Sequence, residues 1–121
     1  MIKFVYKIFP AFVSYTNDMD RQWAGWTSGP FVKIRPCYIY DKGLLTHELT
    51  HVKQFYRTLG LHLILRNFKG YRKNTEVEAY RAQLDNWGGG NTAVARRLFA
   101  ENLSKLYSLG ITQDEAMRLL S

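Results

Sequence analysis

The chain contains one cysteine, three prolines and 10 Asp+Glu residues, and it has no long apolar run. The single cysteine, Cys37, excludes an internal disulfide and a cysteine-based zinc finger. A membrane-spanning helix needs about 18–20 consecutive apolar residues, and no stretch approaches that length. Lys3 and Lys7 interrupt the apolar N-terminus, so no signal peptide is predicted. The expected location is therefore the cytoplasm by default, although delivery by another route, such as host lysis, would leave no trace in the sequence.

The acidic residues are outnumbered by 17 Lys+Arg residues, which gives a net charge of +7 with neutral histidine. A charge of this sign favours a polyanionic partner, and nucleic acid, cell-wall polymer and a membrane surface all fit it. The 121 residues are 46% hydrophobic and 15% aromatic. This composition is sufficient for the core of one domain, and it excludes intrinsic disorder.

The first 43 residues predict strands and loops. Within residues 2–8, apolar side chains alternate with mostly basic ones, a period-two pattern that is typical of a half-buried strand. Residues 14–30 are rich in Asn, Asp, Gly and Pro and are expected to form a loop. Residues 31–40 predict a further strand, and Pro36 makes it an edge strand because proline lacks a ladder donor.

The clearest helix is predicted over residues 44–59, where apolar residues recur at helical spacing and Gly60 ends the pattern. Its apolar stripe consists of Leu45, Leu49, Val52, Tyr56 and Leu59. Residues 61–74 are ambiguous: residues 61–65 could form a short helix, followed by a basic, glycine-containing stretch over residues 66–74.

Three more helices are predicted over residues 75–87, over residues 92–108, and from Thr112, where Glu115 completes a capping box. The run Gly88-Gly89-Gly90 is expected to end the first of them. A single domain therefore divides into strands and loops (1–43), a central helical segment (44–90) and a helical cover (91–121).

The run His47-Glu48-Leu49-Thr50-His51 is an H-E-x-x-H motif inside the predicted helix over residues 44–59. The i, i+4 spacing places both imidazoles on one helix face, about 40° apart, where they can bind one zinc ion. Glu48 projects about 100° away from His47 and can reach a metal-bound water as a general base. The motif therefore predicts a catalytic zinc site with His47 and His51 as ligands.

A catalytic zinc site needs a third protein ligand, and the next predicted helix offers Glu76 and Glu78. Glu76 shares its helix face with Tyr80 and Leu84, an apolar face that is expected to pack inward. A carboxylate on an inward face needs a partner, which the metal would supply. Glu78 lies on a polar face, at a spacing that would let it complete a capping box. We therefore expect Glu76 to be the ligand, whereas His62 lacks the spacing of a third histidine.

The order of strand, H-E-x-x-H helix and glutamate in a second helix resembles the gluzincin branch of the zincin metallopeptidases, particularly its minimal single-domain members. The resemblance rests on residues 45–52 and on Glu76-Val77-Glu78-Ala79-Tyr80, and it covers residues 31–87. It implies an α+β fold with a small N-terminal antiparallel sheet, an edge strand over the H-E-x-x-H helix, and C-terminal helices. It also implies Zn²⁺ as the cofactor and, through the E-x-x-A-x pattern, Glu76 as the third ligand.

One position departs from the family. Gluzincins often carry Asp or Asn four residues after the ligand glutamate, where this chain has Tyr80. The Tyr80 phenol could accept the N–H of a zinc-bound imidazole. It could instead donate to the oxyanion of the reaction, a role for which Tyr71 and His62 are also candidates.

The resemblance further implies that an extended peptide substrate adds to the strand over residues 31–40. Lys33 and Arg35 on this strand would then face an acidic substrate. An equally good interpretation is that both are edge-blocking charges.

The sequence thus predicts a zinc metalloendopeptidase in which Glu48 takes the proton of the attacking water. The substrate is a protein or the peptide part of peptidoglycan, and these residues do not separate the two. One alternative is a nucleic-acid-binding module, since residues 91–121 loosely resemble a helix-turn-helix, but their regular apolar spacing favours a core role. The other alternative is a pseudo-enzyme that keeps zinc for structure, which the intact Glu48 disfavours.

Overall fold

The computed structural model describes residues 1–87, 90 and 92–121. Within these residues the chain forms a four-stranded sheet and five helices, which confirms the predicted α+β class. The strands are β1 (Ile2–Val5), β2 (Phe9–Tyr15), β3 (Gly25–Ser28) and β4 (Phe31–Ile34), followed by a 3-10 turn (Pro36–Tyr38). The helices are α1 (Lys42–Arg57), α2 (His62–Leu65), α3 (Lys69–Asp85), α4 (Ala93–Leu106) and α5 (Gln113–Leu120). The helix end predicted at Gly88 and Gly89 and the cover predicted to start at Asn91 lie outside the described residues.

The sheet is mixed, with the strand order β1-β2-β4-β3. β2 runs parallel to β4, whereas the β1–β2 and β3–β4 pairs are antiparallel. The predicted antiparallel sheet with residues 31–40 as its edge strand is therefore wrong, because β4 lies inside the sheet. Pro36 misleads here because it lies beyond the end of β4 and begins the 3-10 turn instead of interrupting a ladder.

β3 is an edge strand that contacts α1, and it lies within residues 14–30, which were expected to form a loop. It pairs with β4 across the two-residue turn Gly29-Pro30. Gly29 has a φ of +60°, which glycine adopts without strain and which suits the first position of a type II′ hairpin turn. The same turn-forming residues that indicated a loop therefore connect two paired strands.

The strand predicted over residues 2–8 is instead the first half of a hairpin. The chain reverses at residues 6–8, where two backbone φ values are positive, and β2 returns alongside β1. Val5 is buried against the core, whereas Ile2 and Phe4 are exposed. Ile2 and Phe4 therefore lie on the face of this hairpin that points away from the core.

α1 corresponds to the predicted helix, with its ends shifted. Asp41 caps its start by accepting the backbone N–H of Leu44 at 2.9 Å. The helix ends at Arg57, and the predicted stop, Gly60, follows in left-handed backbone with a φ of +87°. Leu59 lies beyond the helix end and is 93% exposed, so its predicted place in the apolar stripe is wrong.

The ambiguous segment 61–74 is mostly helical, because α2 occupies its start and α3 begins at Lys69. Thr75 consequently lies inside α3, where its hydroxyl donates to the backbone carbonyl of Arg72 at 3.0 Å. A capping box needs its threonine at the first residue before the helix. The capping role considered for Glu78 is therefore wrong.

Two apolar cores flank the α1–α3 pair. The first lies between α1 and the inner face of the sheet and contains Val5, Ala11, Val13, Val32, Ile34, Leu44 and Val52. The second lies among α3, α4 and α5 and includes Tyr80, Leu84, Phe99, Leu103 and Leu120. α4 and α5 begin after threonine caps and pack onto α3, as their apolar spacing predicts. In the described part of the chain, no helix is both long enough and apolar enough to cross a membrane.

Candidate metal centre

Three ligand-type side chains from two helices meet at one point. His47 and His51 lie one turn apart on α1, and Glu76 faces them from α3. Glu76 Oε1 lies 2.9 Å from His51 Nε2, and Glu76 Oε2 lies 3.5 Å from His47 Nε2. The three ligand atoms lie within 4.8 Å of one another, and all three side chains are buried. They form a group that can bind a metal ion.

The charges in this group attract a cation. Burial alone would raise the pKa of Glu76, but the imidazoles of His51 and His47 hold it far below its usual range. Burial alone would lower the pKa of His51, yet the Glu76 carboxylate raises it to about 9. In the metal-free protein the Glu76 carboxylate therefore keeps His51 protonated. A bound metal ion would replace this proton. Among the described residues, Glu76 Oε2 has no hydrogen-bond partner, which leaves it available as a ligand.

A buried amide positions His51. His51 Nδ1 lies 2.9 Å from Gln54 Oε1, one turn further along α1. Gln54 Nε2 donates to the backbone carbonyl of Thr75 at 3.0 Å and to Glu78 Oε1 at 2.8 Å. Because both amide hydrogens bond to oxygen atoms, Gln54 Oε1 accepts the Nδ1–H of His51 and leaves Nε2 facing Glu76. Gln54 is 0% exposed, so water offers it no alternative partner.

The same chain of bonds continues to the surface. Arg57 donates to both carboxylate oxygens of Glu78, at 2.8 and 3.1 Å. Arg57 thereby holds the pKa of Glu78 below its usual value and keeps its carboxylate oriented. Glu78 therefore lies outside the metal-binding group and supports His51 through Gln54.

Glu48 is held against the edge strand β3. The Thr27 hydroxyl donates a hydrogen bond to its carboxylate. The backbone of Gly25 approaches so closely that a Cβ at this position would lie 3.0 Å from Glu48 Oε1. A side chain at position 25 would therefore displace the Glu48 carboxylate by a few tenths of an ångström. Glu48 is thus fixed by the sheet, independently of the helix contacts that fix the metal-binding group.

A cleft of about 380 Å³ opens onto both the metal-binding group and Glu48. β3 forms one wall with Gly25, Trp26 and Thr27, and the residues just after α4 contribute Tyr107. The Arg66 guanidinium lies over the ring of Trp26, 5.8 Å from its centroid, and also lines the cleft. Arg66 has no acidic partner among residues 1–87, 90 and 92–121, so one end of the cleft is cationic.

Of the three residues predicted as oxyanion or orienting candidates, His62 lines the cleft. Its Nδ1 lies 2.8 Å from the Tyr71 hydroxyl, and burial, followed by nearby positive charge, lowers the pKa of His62 to about 4. His62 is therefore neutral at pH 7. Tyr80 bonds to the hydroxyl of Tyr107 at 2.8 Å and not to a histidine. Its ring lies edge-on to His47, with the two centroids 4.4 Å apart.

The two predicted substrate-facing cations have other partners. Lys33 lies on β4 inside the sheet and pairs with Asp18 at 3.4 Å. Arg35 donates to the backbone carbonyls of Trp23 at 2.8 Å and Asp20 at 2.9 Å, and it thereby holds the connection between β2 and β3. Their predicted contact with substrate required residues 31–40 to form an edge strand, and the edge strand on this side of the sheet is β3.

Several residues of the site have no place in the prediction from sequence. Among them are Gly25 and Thr27 on β3, Gln54 on α1, and Tyr107 after α4. Gln54 carries a local signal, since an amide one helical turn after a ligand histidine can reach its ring. The other three have no local signal, because only the tertiary fold brings them to the motif.

In comparisons with protein-family models, curated proteins and solved structures, nothing matches this chain. Its function is therefore inferred from the geometry and chemistry of the metal-binding group and the cleft.

Proposed function

We propose that this chain is a zinc-dependent metallopeptidase of the gluzincin type, which hydrolyses peptide bonds in proteins or in the peptides of peptidoglycan. The observation that carries the proposal is the convergence of His47, His51 and Glu76 on one point, with a separately held carboxylate, Glu48, in the same cleft. A purely structural metal site would have no need of this fourth group.

The donor set favours zinc. Two imidazole nitrogens and one carboxylate oxygen form a three-ligand set common at catalytic zinc. Bonds of about 2.0–2.2 Å in tetrahedral geometry separate neighbouring donor atoms by about 3.4 Å. The separations of 2.9 and 3.5 Å between Glu76 and the two histidines bracket this distance. Zinc at this point supplies Lewis acidity toward a carbonyl oxygen and toward water.

The residues of the chain perform the proton transfers and the positioning. Glu48 accepts a proton from the attacking water, and its contacts with Thr27 and Gly25 hold it in place before substrate arrives. His62 Nδ1 and the Tyr71 hydroxyl share a hydrogen bond, and with the hydroxyl as donor the ring proton of neutral His62 is on Nε2. This Nε2–H is then the donor that His62 can offer to the developing oxyanion.

The edge strand β3 is the natural place for an extended peptide. It lines the cleft beside Glu48, and an edge strand presents backbone groups that a peptide can pair with. This assignment moves the substrate strand from residues 31–40 to residues 25–28. The cationic end of the cleft at Arg66 then meets one end of the bound peptide.

The test is the Glu48→Gln variant, assayed on a protein substrate and on purified peptidoglycan. We expect zinc content to remain at the wild-type level, while hydrolysis falls by about 10²–10⁴-fold because the general base is lost. Glu101→Gln is the matched control, since Glu101 lies on the surface of α4 and pairs with Lys105. It should change neither quantity.

Two results would contradict the proposal. Equal hydrolysis by wild type and Glu48→Gln would show that Glu48 is not the base. Stoichiometric zinc with no hydrolysis by the wild type of either substrate would favour the pseudo-enzyme instead.

A further inference from the structure

Arg66 lies at one end of the cleft and is held there by the edge strand β3. Its Nη1 donates to the backbone carbonyl of Thr27 at 3.4 Å, and its guanidinium lies over the ring of Trp26, 5.8 Å from the centroid. Both contacts are with neutral groups. Within residues 1–87, 90 and 92–121, no carboxylate lies within ion-pair distance of Arg66. Arg66 is therefore a positioned cation whose charge the described chain leaves uncompensated.

A second arginine adds to this positive charge. Arg72 also lines the cleft, and its guanidinium donates to the backbone carbonyls of Tyr107 at 2.9 Å, Arg66 at 3.1 Å and Ser108 at 3.3 Å. These oxygens satisfy its N–H groups but carry no net charge. In the part of the chain that the structure describes, Arg72 has no carboxylate partner either. Two guanidinium groups thus make this end of the cleft positive.

The other charged groups of the cleft do not offset these arginines. Glu48 and Glu76 are the acidic residues that line it, and both belong to the proposed zinc chemistry. A zinc ion carries two positive charges and would offset these two carboxylates. A substrate that enters the zinc-loaded cleft therefore meets an excess of positive charge, which has the same sign as the net charge of +7.

The pairing of β3 determines where a bound peptide meets Arg66. The carbonyl of Ala24 accepts a backbone N–H from the residue after β4 at 3.1 Å, so by alternation Gly25 and Thr27 face the open edge. Gly25 lies against Glu48, whereas the Thr27 carbonyl is bonded to Arg66. Two strand residues span about 7 Å, so a peptide paired with this edge presents to Arg66 a residue within about two positions of the cleaved bond.

We propose that Arg66 binds a carboxylate of the substrate, and that the preferred substrates are peptides with an acidic residue or a free C-terminus close to the cleaved bond. This inference rests on the proposed peptidase function and names the substrate class of the same site. A guanidinium suits this task because it can donate two parallel N–H groups to a carboxylate. An acidic side chain and a C-terminal carboxylate share this chemistry, and the experiment separates them.

The experiment compares blocked peptides that are identical except for one residue, which is Glu, Gln or Lys, placed in turn at each position near the cleaved bond. A further pair of peptides ends there in a free carboxylate or in an amide. At one of these positions we expect kcat/KM to be at least about tenfold higher with Glu than with Gln, and lowest with Lys. A preference for internal Glu assigns a side chain to Arg66, and a preference confined to the free C-terminus assigns the C-terminal carboxylate.

Two variants test Arg66 itself. Arg66→Gln should reduce the ratio of kcat/KM between the Glu and Gln peptides to less than about twofold, and Arg66→Glu should shift the preference to Lys. Arg118→Gln is the matched control, because Arg118 is an exposed arginine of α5 that does not line the cleft. Its ratio should equal that of the wild type, and thermal melts verify that all variants are folded.

Calorimetric titration of Glu48→Gln, alone or combined with Arg66→Gln, measures the same preference as binding without hydrolysis. Binding that favours Glu and depends on Arg66, in a protein that hydrolyses no peptide, would support this inference and contradict the peptidase proposal. Hydrolysis with equal kcat/KM for the Glu and Gln peptides, or a preference that Arg66→Gln leaves intact, would overturn this inference alone. Absence of both hydrolysis and preferential binding would overturn both.

Discussion

The α1–α3 pair and the N-terminal sheet position their buried residues in different ways. On α1, His47 and His51 share a face because they are one helical turn apart, so a local spacing fixes their relation. In the sheet, the buried face is set by which strands pair, and β2 pairs directly with β4 although β3 lies between them in the sequence. A local pattern is therefore informative in the first region and ambiguous in the second.

The ambiguity of the sheet has a physical cause. Both faces of the first hairpin carry apolar residues, so alternation alone does not say which face is buried. The core takes Val5, Ala11 and Val13, and the larger Ile2, Phe4 and Phe12 stay outside. α1 packs on the inner face, and its side chains decide which set is covered.

The largest expected effect tests which side of the sheet is the core. Ile34 is fully buried on the inner face of β4, and Phe31 on the same strand is exposed on the outer face. Ile34→Ala should lower the free energy of unfolding by about 2–5 kcal/mol, whereas Phe31→Ala should lower it by less than about 0.5 kcal/mol. Denaturant unfolding of both variants measures this, and similar losses would contradict the assignment of the two faces.

The second prediction tests whether the sheet holds Glu48 of α1 in the position required for catalysis. Gly25→Ala places a Cβ 3.0 Å from Glu48 Oε1, so the carboxylate must move. We expect kcat/KM for peptide hydrolysis to fall by up to about 10²-fold while zinc content stays constant. Gly70→Ala is the control, because its Cβ would meet nothing within 4 Å. Equal activity of the two variants would mean that β3 does not hold Glu48 in its working position.

A similar or smaller effect is expected at the amide behind His51. Gln54→Leu removes the acceptor of the His51 Nδ1–H and should weaken zinc binding by about 10–100-fold. Gln113→Leu, at the exposed start of α5, serves as the control. Competition with a chelating dye measures both affinities. Unchanged affinity in Gln54→Leu would remove the amide from the account of the site.

The smallest effect is expected at the surface end of the same chain of bonds. Arg57→Gln breaks the pair with Glu78, but both side chains are about half exposed and water compensates much of the loss. Zinc affinity should fall by less than about threefold. If Arg57→Gln lowered zinc affinity as much as Gln54→Leu does, the Arg57–Glu78 pair would be as important as Gln54 for orienting His51.

The sequence was sufficient to predict the elements whose signals are local. The H-E-x-x-H helix, the inward face of Glu76, and the cap at Thr112 all follow from spacing within one helix. The face argument that preferred Glu76 over Glu78 needed no knowledge of where α3 begins. For this reason the late predicted start of α3 did not affect it.

The rest depends on contacts between distant segments. The edge position of β3 and the contact between Gly25 and Glu48 appear only when the sheet packs on α1. Tyr107 reaches the cleft only because α4 folds back over α3. Pro36 illustrates the limit of local reasoning. A residue without a backbone N–H fits equally well on an edge strand or at the start of a 3-10 turn.

The central claim is tested most directly by the metal content of the purified protein and three variants. We expect about one zinc per chain in the wild type and in Glu78→Ala, and almost none in His47→Ala and Glu76→Ala. Glu78→Ala is the decisive comparison, because it removes a carboxylate from the same helix and leaves the three ligands in place. Zinc retained by Glu76→Ala and lost from Glu78→Ala, or no zinc in the wild type, would contradict the assignment of His47, His51 and Glu76 as a zinc site.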